Sequence, residues 1–140
     1  GGIYSLRFIL VDDKEKIQKL AEACQQDFVG AVSYLVVACS NCSKTLNSYG
    51  ERGKRYCKQQ AGAGVQNFWL KLEEKGLSSC WIGAFADEQI KSILKIPEDV
   101  DVEAVFPIGY EMGKKIRRPK IGKTEVYNLG CCGDYKILKV

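Results

Sequence analysis

The chain has 140 residues, with 21 Lys and Arg against 17 Asp and Glu and no histidine, for a formal charge of +4. The missing imidazole excludes Ser-His-Asp and Cys-His nucleophile machinery, imidazole general bases and every His-containing metal site. At 46% apolar and 27% charged, with no long uncharged apolar run, the chain reads as one soluble domain large enough for its own core, and not as a membrane span.

The elements follow in order. Gly1-Gly2 is neither a signal peptide nor an initiator Met, so the chain is expected to be N-terminally incomplete or processed. Residues 3–11 end in the apolar run Phe8-Ile9-Leu10-Val11 and predict a strand suited to a sheet interior. Asp12 stands at capping-box spacing from Glu15. Ile17, Leu20, Ala21 and Cys24 then recur at helical spacing, which predicts an amphipathic helix over 14–25. Residues 34–39 predict a second strand. The polar stretch 41–53, with Asn47, Gly50 and Gly53 as breakers, predicts a loop.

A longer helix is predicted over 54–75, with a stripe of Ala61, Val65, Phe68 and Leu72 and a stop at Gly76. Its interior Gly62 and Gly64 each cost roughly 1 kcal/mol against alanine. That cost calls for close approach of another backbone or a flat ligand. Residues 80–83 predict a short strand. Asp87 is placed to cap a helix carrying Ile90, Ile93 and Leu94, which Pro97 ends. Residues 101–110 predict a strand with Val102, Ala104, Phe106 and Ile108 on one face. Pro107 puts part of that strand at an edge or ends it.

Lys114, Lys115, Arg117, Arg118, Lys120 and Lys123 then form a basic segment without an acid, and the rest of the chain is slightly acidic. This favours a local anion site over a nucleic-acid-binding surface. Residues 126–140 have no obvious local partner and are expected to dock on another subunit. Strands and helices alternate with long connections, which points to an α+β or mixed α/β domain.

Seven cysteines are present. An odd number without a signal peptide points to a reducing cytoplasm and not to a disulfide scaffold. Cys39 and Cys42 have C-x-x-C spacing and Cys131-Cys132 is a vicinal pair. With no second C-x-x-C and no histidine, no metal site is expected. Cys39 is read as ending a buried strand, with Cys42 in the loop after it.

Paired catalytic carboxylates have no support: Glu73-Glu74 fall at an exposed helix end and Asp12-Asp13 read as caps. G-x-G-x-x-G and Walker A loops are both missing. What remains is glycines, aromatics and a cation cluster. That pattern suits a protein whose cofactor does the chemistry. Within Ser79–Phe85, Gly83 at a strand end would allow backbone to approach a ligand closely.

Read together, Gln60–Asn67, Gly76-Leu77 through Phe85, and Pro107-Ile108-Gly109-Tyr110 resemble the nitroreductase family of FMN-dependent oxidoreductases. They are similar to its Q-x-A-x-A-x-Q-N helix, its G-L-G-[ST]-C-W-x-G-A-F segment and its P-[IL]-G-Y strand end. Gly1-Gly2 through Arg7-Phe8-Ile9 is similar to the family's strand entry. The likeness covers residues 1 to about 127, without the family's N-terminal R-R-S-x-R helix, and Gly130-Cys131-Cys132-Gly133 departs from it.

The resemblance implies an α+β domain with a mixed, mainly antiparallel sheet flanked by helices. It also implies a homodimer whose long helix lies at the interface, with FMN sites between subunits. Trp81, Ile82, Gly83 and Ala84 would lie along the isoalloxazine ring, with the Gly83 N–H toward flavin N5. Gly1 and Gly2 would approach the flavin from the partner subunit. Arg118 or Lys120 would meet the phosphate, with Lys114 and Arg117 as alternatives. No protein side chain is catalytic in this reading. NAD(P)H would deliver hydride to the flavin, and a nitroaromatic, quinone or flavin acceptor would take it in a ping-pong cycle. Two other readings stand beside it. One is another flavin activity on the same fold, such as dehalogenation, heterocycle oxidation or flavin fragmentation. The other is a non-catalytic module that binds through the basic segment.

Overall fold

The computed structural model describes residues 2–111. The strands are β1 (Leu6–Val11), β2 (Tyr34–Asn41), β3 (Ser78–Ser79) and β4 (Val100–Gly109). The helices are α1 (Lys14–Cys24), α2 (Ser43–Tyr49), α3 (Arg52–Glu74) and α4 (Asp87–Leu94), with a 3-10 turn at Asp27–Ala31. The sheet order is β1-β2-β4-β3, and all three pairings are antiparallel. This is the expected α+β arrangement.

Helices cover both faces of the sheet. On one side α1 and α4 enclose Val11, Ile17, Leu20, Leu35, Val37, Ile90 and Val105. On the other, α3 packs Val65, Phe68 and Trp69 on Val36, Ala38, Ala104 and Phe106. Because β2 is buried on both faces, residues 35–40 are all buried, which explains its continuous apolar run.

Four local expectations change. The α1 cap is Asp13 and not Asp12: its carboxylate accepts from Lys16 N at 3.0 Å. That bond holds the carboxyl of Asp13 below its ordinary value. Asp87 is the first residue of α4 and caps nothing; Ala86 occupies the cap position. Asp87 and Glu88 there favour the helix through its dipole. The expected loop over 41–53 contains α2 and the start of α3. The expected strand over 80–83 is displaced to Ser78–Ser79, and of 80–83 only Ile82 pairs, in a single bridge with Val105.

The fourth strand keeps its place but changes face partway along. Ala38 pairs with Ala104 and Cys39 pairs with Val102, so Glu103 is an extra, bulged residue. A bulge turns the following side chains to the opposite face. Val102 therefore joins Val105 on the α1 side, while Ala104 and Phe106 face α3. Glu103 and Asp101 both receive the Lys58 ammonium of α3 at 2.9 Å. Burial alone would lower the pKa of Lys58, but these two hydrogen bonds outweigh it and raise it.

Pro107 lies on an inner strand, yet its missing N–H leaves no unpaired donor. Val105 exchanges both backbone hydrogen bonds with Ile82. Two residues on, Pro107 faces the same side, opposite Cys80 and Trp81, which belong to no strand.

Candidate functional site

Three of the resemblance-derived positions, Gly1, Arg118 and Lys120, lie outside the described residues, as do the basic segment and the 126–140 tail. The rest fall into two separate places. The first is the shelf after β3. The chain leaves the ladder at Cys80 and Trp81, is anchored again at Ile82, and leaves Gly83 and Ala84 exposed. Ile82 is 2% exposed, with its side chain in the α1/α4 core and both backbone groups bonded to Val105. It fixes the shelf while its neighbours present a surface.

Trp81 is 42% exposed. Its ring meets Trp69 and Phe106 edge to face at 5.7 and 5.5 Å. It is therefore a wall held from behind and open in front. A Cβ built on Gly83 would meet only the Trp81 indole, at 3.8 Å. The described residues thus give no steric reason for glycine there. Exposed backbone beside a flat aromatic wall fits a planar, polar-edged group such as an isoalloxazine.

The second place is a cleft of about 400 Å³ lined by Gly2, Ile3, Ser5, Thr45, Tyr49, Tyr56 and Gln60. Gly2 sits at its edge with φ +72°, a left-handed conformation that glycine adopts freely. The segment after it is held by Gln60. The Oε1 of Gln60 accepts from Ser5 N and, at 2.7 Å, from Ser5 Oγ, and its Nε2 donates to Ile3 O at 2.7 Å. In the sequence Gln60 stands out only as the first residue of the helix motif at 60–67. Its signal was available: it lies one turn beyond Tyr56 on the same helix face.

The two places are not joined in one chain. Gln60 and Trp69, which mark them on α3, are separated by about 14 Å along the helix axis at 1.5 Å per residue. Among the described residues of the single chain, no backbone outside α3 approaches Gly62 or Gly64 closely. Gly62 has open space, and a Cβ at Gly64 would meet only the Leu6 side chain. The tight backbone contact lies at Gly53, where a Cβ would sit 2.7 Å from Thr45 O.

Cysteines also separate by environment. Cys42 and Cys57 form a disulfide with Cα atoms 6.0 Å apart, so these two cysteines are not the free thiols expected. Burial pushes the thiols of Cys24 and Cys39 up to about 11, with Glu103 adding to the effect at Cys39. Cys80 is free and exposed. Brief treatment of the native protein with iodoacetamide near pH 7.5 is therefore expected to label Cys80 and leave Cys24 and Cys39 unmodified, because the thiolate is the reactive form. Peptide mass mapping checks this, and equal labelling of all three would contradict the burial.

Residues 23–110 match the Nitroreductase family profile. The chain belongs to the nitroreductase family. Relatives in that family include a protein of Methanocaldococcus jannaschii named as a nitroreductase. It is 36% identical over 87 residues, covering 61% of this chain and 44% of its own length. The FMN-dependent nitroreductase of Clostridium difficile R20291 has a TM-score of 0.67 at 27% identity, over 79% of this chain and 66% of that one. The NADPH:FMN oxidoreductase of Vibrio harveyi, solved with NAD+, has a TM-score of 0.77 at 20% identity, over 96% and 61%. At that identity the likeness is one of fold. This nitroreductase-family chain thus spans from under half to about two thirds of these relatives' lengths. Among its described residues, no helix is long and apolar enough to cross a membrane.

Proposed function

We propose that the protein is an FMN-dependent oxidoreductase that uses NAD(P)H and reduces a small-molecule acceptor such as a nitroaromatic, a quinone or a flavin. The observation that carries this reading is the shelf at Trp81–Ala84. Its exposed backbone runs beside an aromatic wall, at a glycine that the chain's own packing does not require. When bound, FMN would supply the redox chemistry, hydride transfer between a nicotinamide and the acceptor.

The protein's part is to bind and orient. Ile82 anchors the shelf through Val105. Trp81 offers a flat flank, and the Gly83 N–H offers a donor to the ring edge. Gln60 holds the Gly2 segment in place. Arg118 or Lys120 neutralises the phosphate. Because Gly2 and the shelf stand apart in one chain, a complete site needs Gly2 from a second copy. This supports a homodimer with α3 at its interface, across which residues 126–140 would reach.

Titration of the purified, folded protein with FMN is expected to quench flavin fluorescence and leave yellow protein after desalting. Neutralising Arg118 and Lys120 together is expected to weaken that binding at least tenfold, about 1.4 kcal/mol. A folded protein that stays colourless in excess FMN overturns the reading. Loss of polyanion binding in the double variant, with FMN retained, would favour a binding module instead.

A further inference from the structure

The flavin reading makes no use of Cys42 and Cys57, yet they sit where they can control the Gly2 cleft. Cys42 occupies the cap position of α2, without a side-chain capping bond. Cys57 lies on the buried face of α3 and is 1% exposed. Their linkage closes a segment that contains all of α2 and the first turn of α3.

Helix α2 forms walls of two clefts. Thr45 and Tyr49 line the cleft that holds Gly2 and Gln60. Ser43 and Lys44 line a second cleft of about 490 Å³ with Arg7, Asn41 and Asp99. A seven-residue helix does not persist alone in water, and only Thr45 of α2 is buried. Its first residue is tied through Ser43 N to Asn41 Oδ1 and through Ser43 Oγ to Asp99. The rest of its packing is on α3: the backbone contact at Gly53, the edge-to-face pair of Tyr49 and Tyr56 at 5.3 Å, and the Cys42–Cys57 bond.

We propose that Cys42–Cys57 is a reversible thiol-exchange site, a latch whose opening by a small thiol releases α2 and loosens the wall shared by both clefts. Cys42 is the half-buried, accessible member of the pair. The thiolate of a small thiol attacks Sγ of Cys42, and the S–S bond breaks. Cys57 leaves as a thiolate and takes up a proton. A second thiol then attacks the mixed disulfide, freeing Cys42 and releasing the oxidised small disulfide. In sum, one protein disulfide is reduced to two thiols while two small thiols are oxidised to one disulfide. The same small disulfide in excess runs the sequence backwards and closes the latch.

The test uses the full chain equilibrated with oxidised or with reduced glutathione. After oxidation, denaturation and N-ethylmaleimide, peptide mapping is expected to find Cys42 and Cys57 joined and unlabelled. After reduction both should label. Hydrogen exchange across residues 43–50 is expected to run roughly tenfold faster in the reduced protein, with residues 34–41 unchanged. The double variant C42S/C57S should show the fast rate in either buffer. Labelling of both cysteines after oxidation, or equal exchange across 43–50 in the two states, overturns the latch. If the variant does not fold, the wild-type comparison decides alone. None of these readouts involves flavin, so failure of FMN binding and failure of the latch are told apart.

Discussion

Gly53→Ala is expected to destabilise the protein by about 1–3 kcal/mol, the typical range for overpacking a tight contact. Helix propensity alone points the other way, since alanine is favoured over glycine inside a helix by roughly 1 kcal/mol. Geometry decides the sign. An added Cβ would lie 2.7 Å from Thr45 O, 2.8 Å from Thr45 C and 2.9 Å from Leu46 Cα. All three are backbone atoms of α2, so no rotamer change relieves the contact and α2 must move off α3. Gly62→Ala is the comparison on the same helix. Its Cβ meets nothing among the described residues of its own chain within 4 Å, so it should be neutral or stabilise by up to about 1 kcal/mol unless a second copy packs on that face of α3. Urea denaturation of the two variants beside the parent checks the pair. Equal effects would mean that the Gly53 contact does not govern α2.

Gln60→Ala is expected to cost about 2 kcal/mol and to weaken FMN binding about tenfold. Ser5 is 3% exposed, and its N–H and hydroxyl both donate to Gln60 Oε1. Truncation leaves these donors unpaired, and a buried unpaired donor carries a penalty of roughly 1–3 kcal/mol. It also frees Ile3 O from Nε2, so the segment that presents Gly2 loses its tether to α3. Gln60→Glu separates the two bonds. Its carboxylate still accepts from Ser5, but it repels the Ile3 carbonyl that the amide had held. Stability of Gln60→Glu should fall between those of the parent and the alanine variant. Calorimetry, with hydrogen exchange at residues 3–6, reads the stability effect; FMN titration reads the other. An alanine variant with unchanged exchange at residues 3–6 would show that Gln60 does not hold the segment.

Much of the fold was legible because local pattern and final environment agree. Ile17, Leu20, Ala21 and Cys24 share one helical face, and all four are buried. Ala61 and Val65 likewise face inward from α3, and Gly76 follows that helix with φ +69°. The family resemblance was legible for a related reason. Its motifs fall on the segments that most constrain the fold: the α3 stripe, the Ile82 anchor and the end of β4.

Other features were illegible because they arise from contacts between distant segments. Helix α2 reads as loop, since its residues have little apolar periodicity and its place depends on α3. The bulge at Glu103 reverses Val102 against a pattern of perfect alternation. It depends on β2 pairing and on Lys58, residues far away in sequence. The Cys42–Cys57 pair is hidden for the same reason.

By itself, the sequence determined the α+β class, the main helices and strands, the family and the absence of imidazole chemistry. The helices and strands follow from short-range periodicity and the missing imidazole from composition, whereas the α+β class and the family follow from the resemblance carried by Gln60–Asn67, Gly76–Phe85 and Pro107–Tyr110. The tertiary structure alone decided which glycine bears a backbone contact, which cysteines meet, and that Gln60 clamps the Gly2 segment. It also decided that Gly2 and the Trp81–Ala84 shelf stand apart within one chain. These depend on how elements cross and pack in space, and spacing along a chain does not encode the distances between elements that fold back on each other.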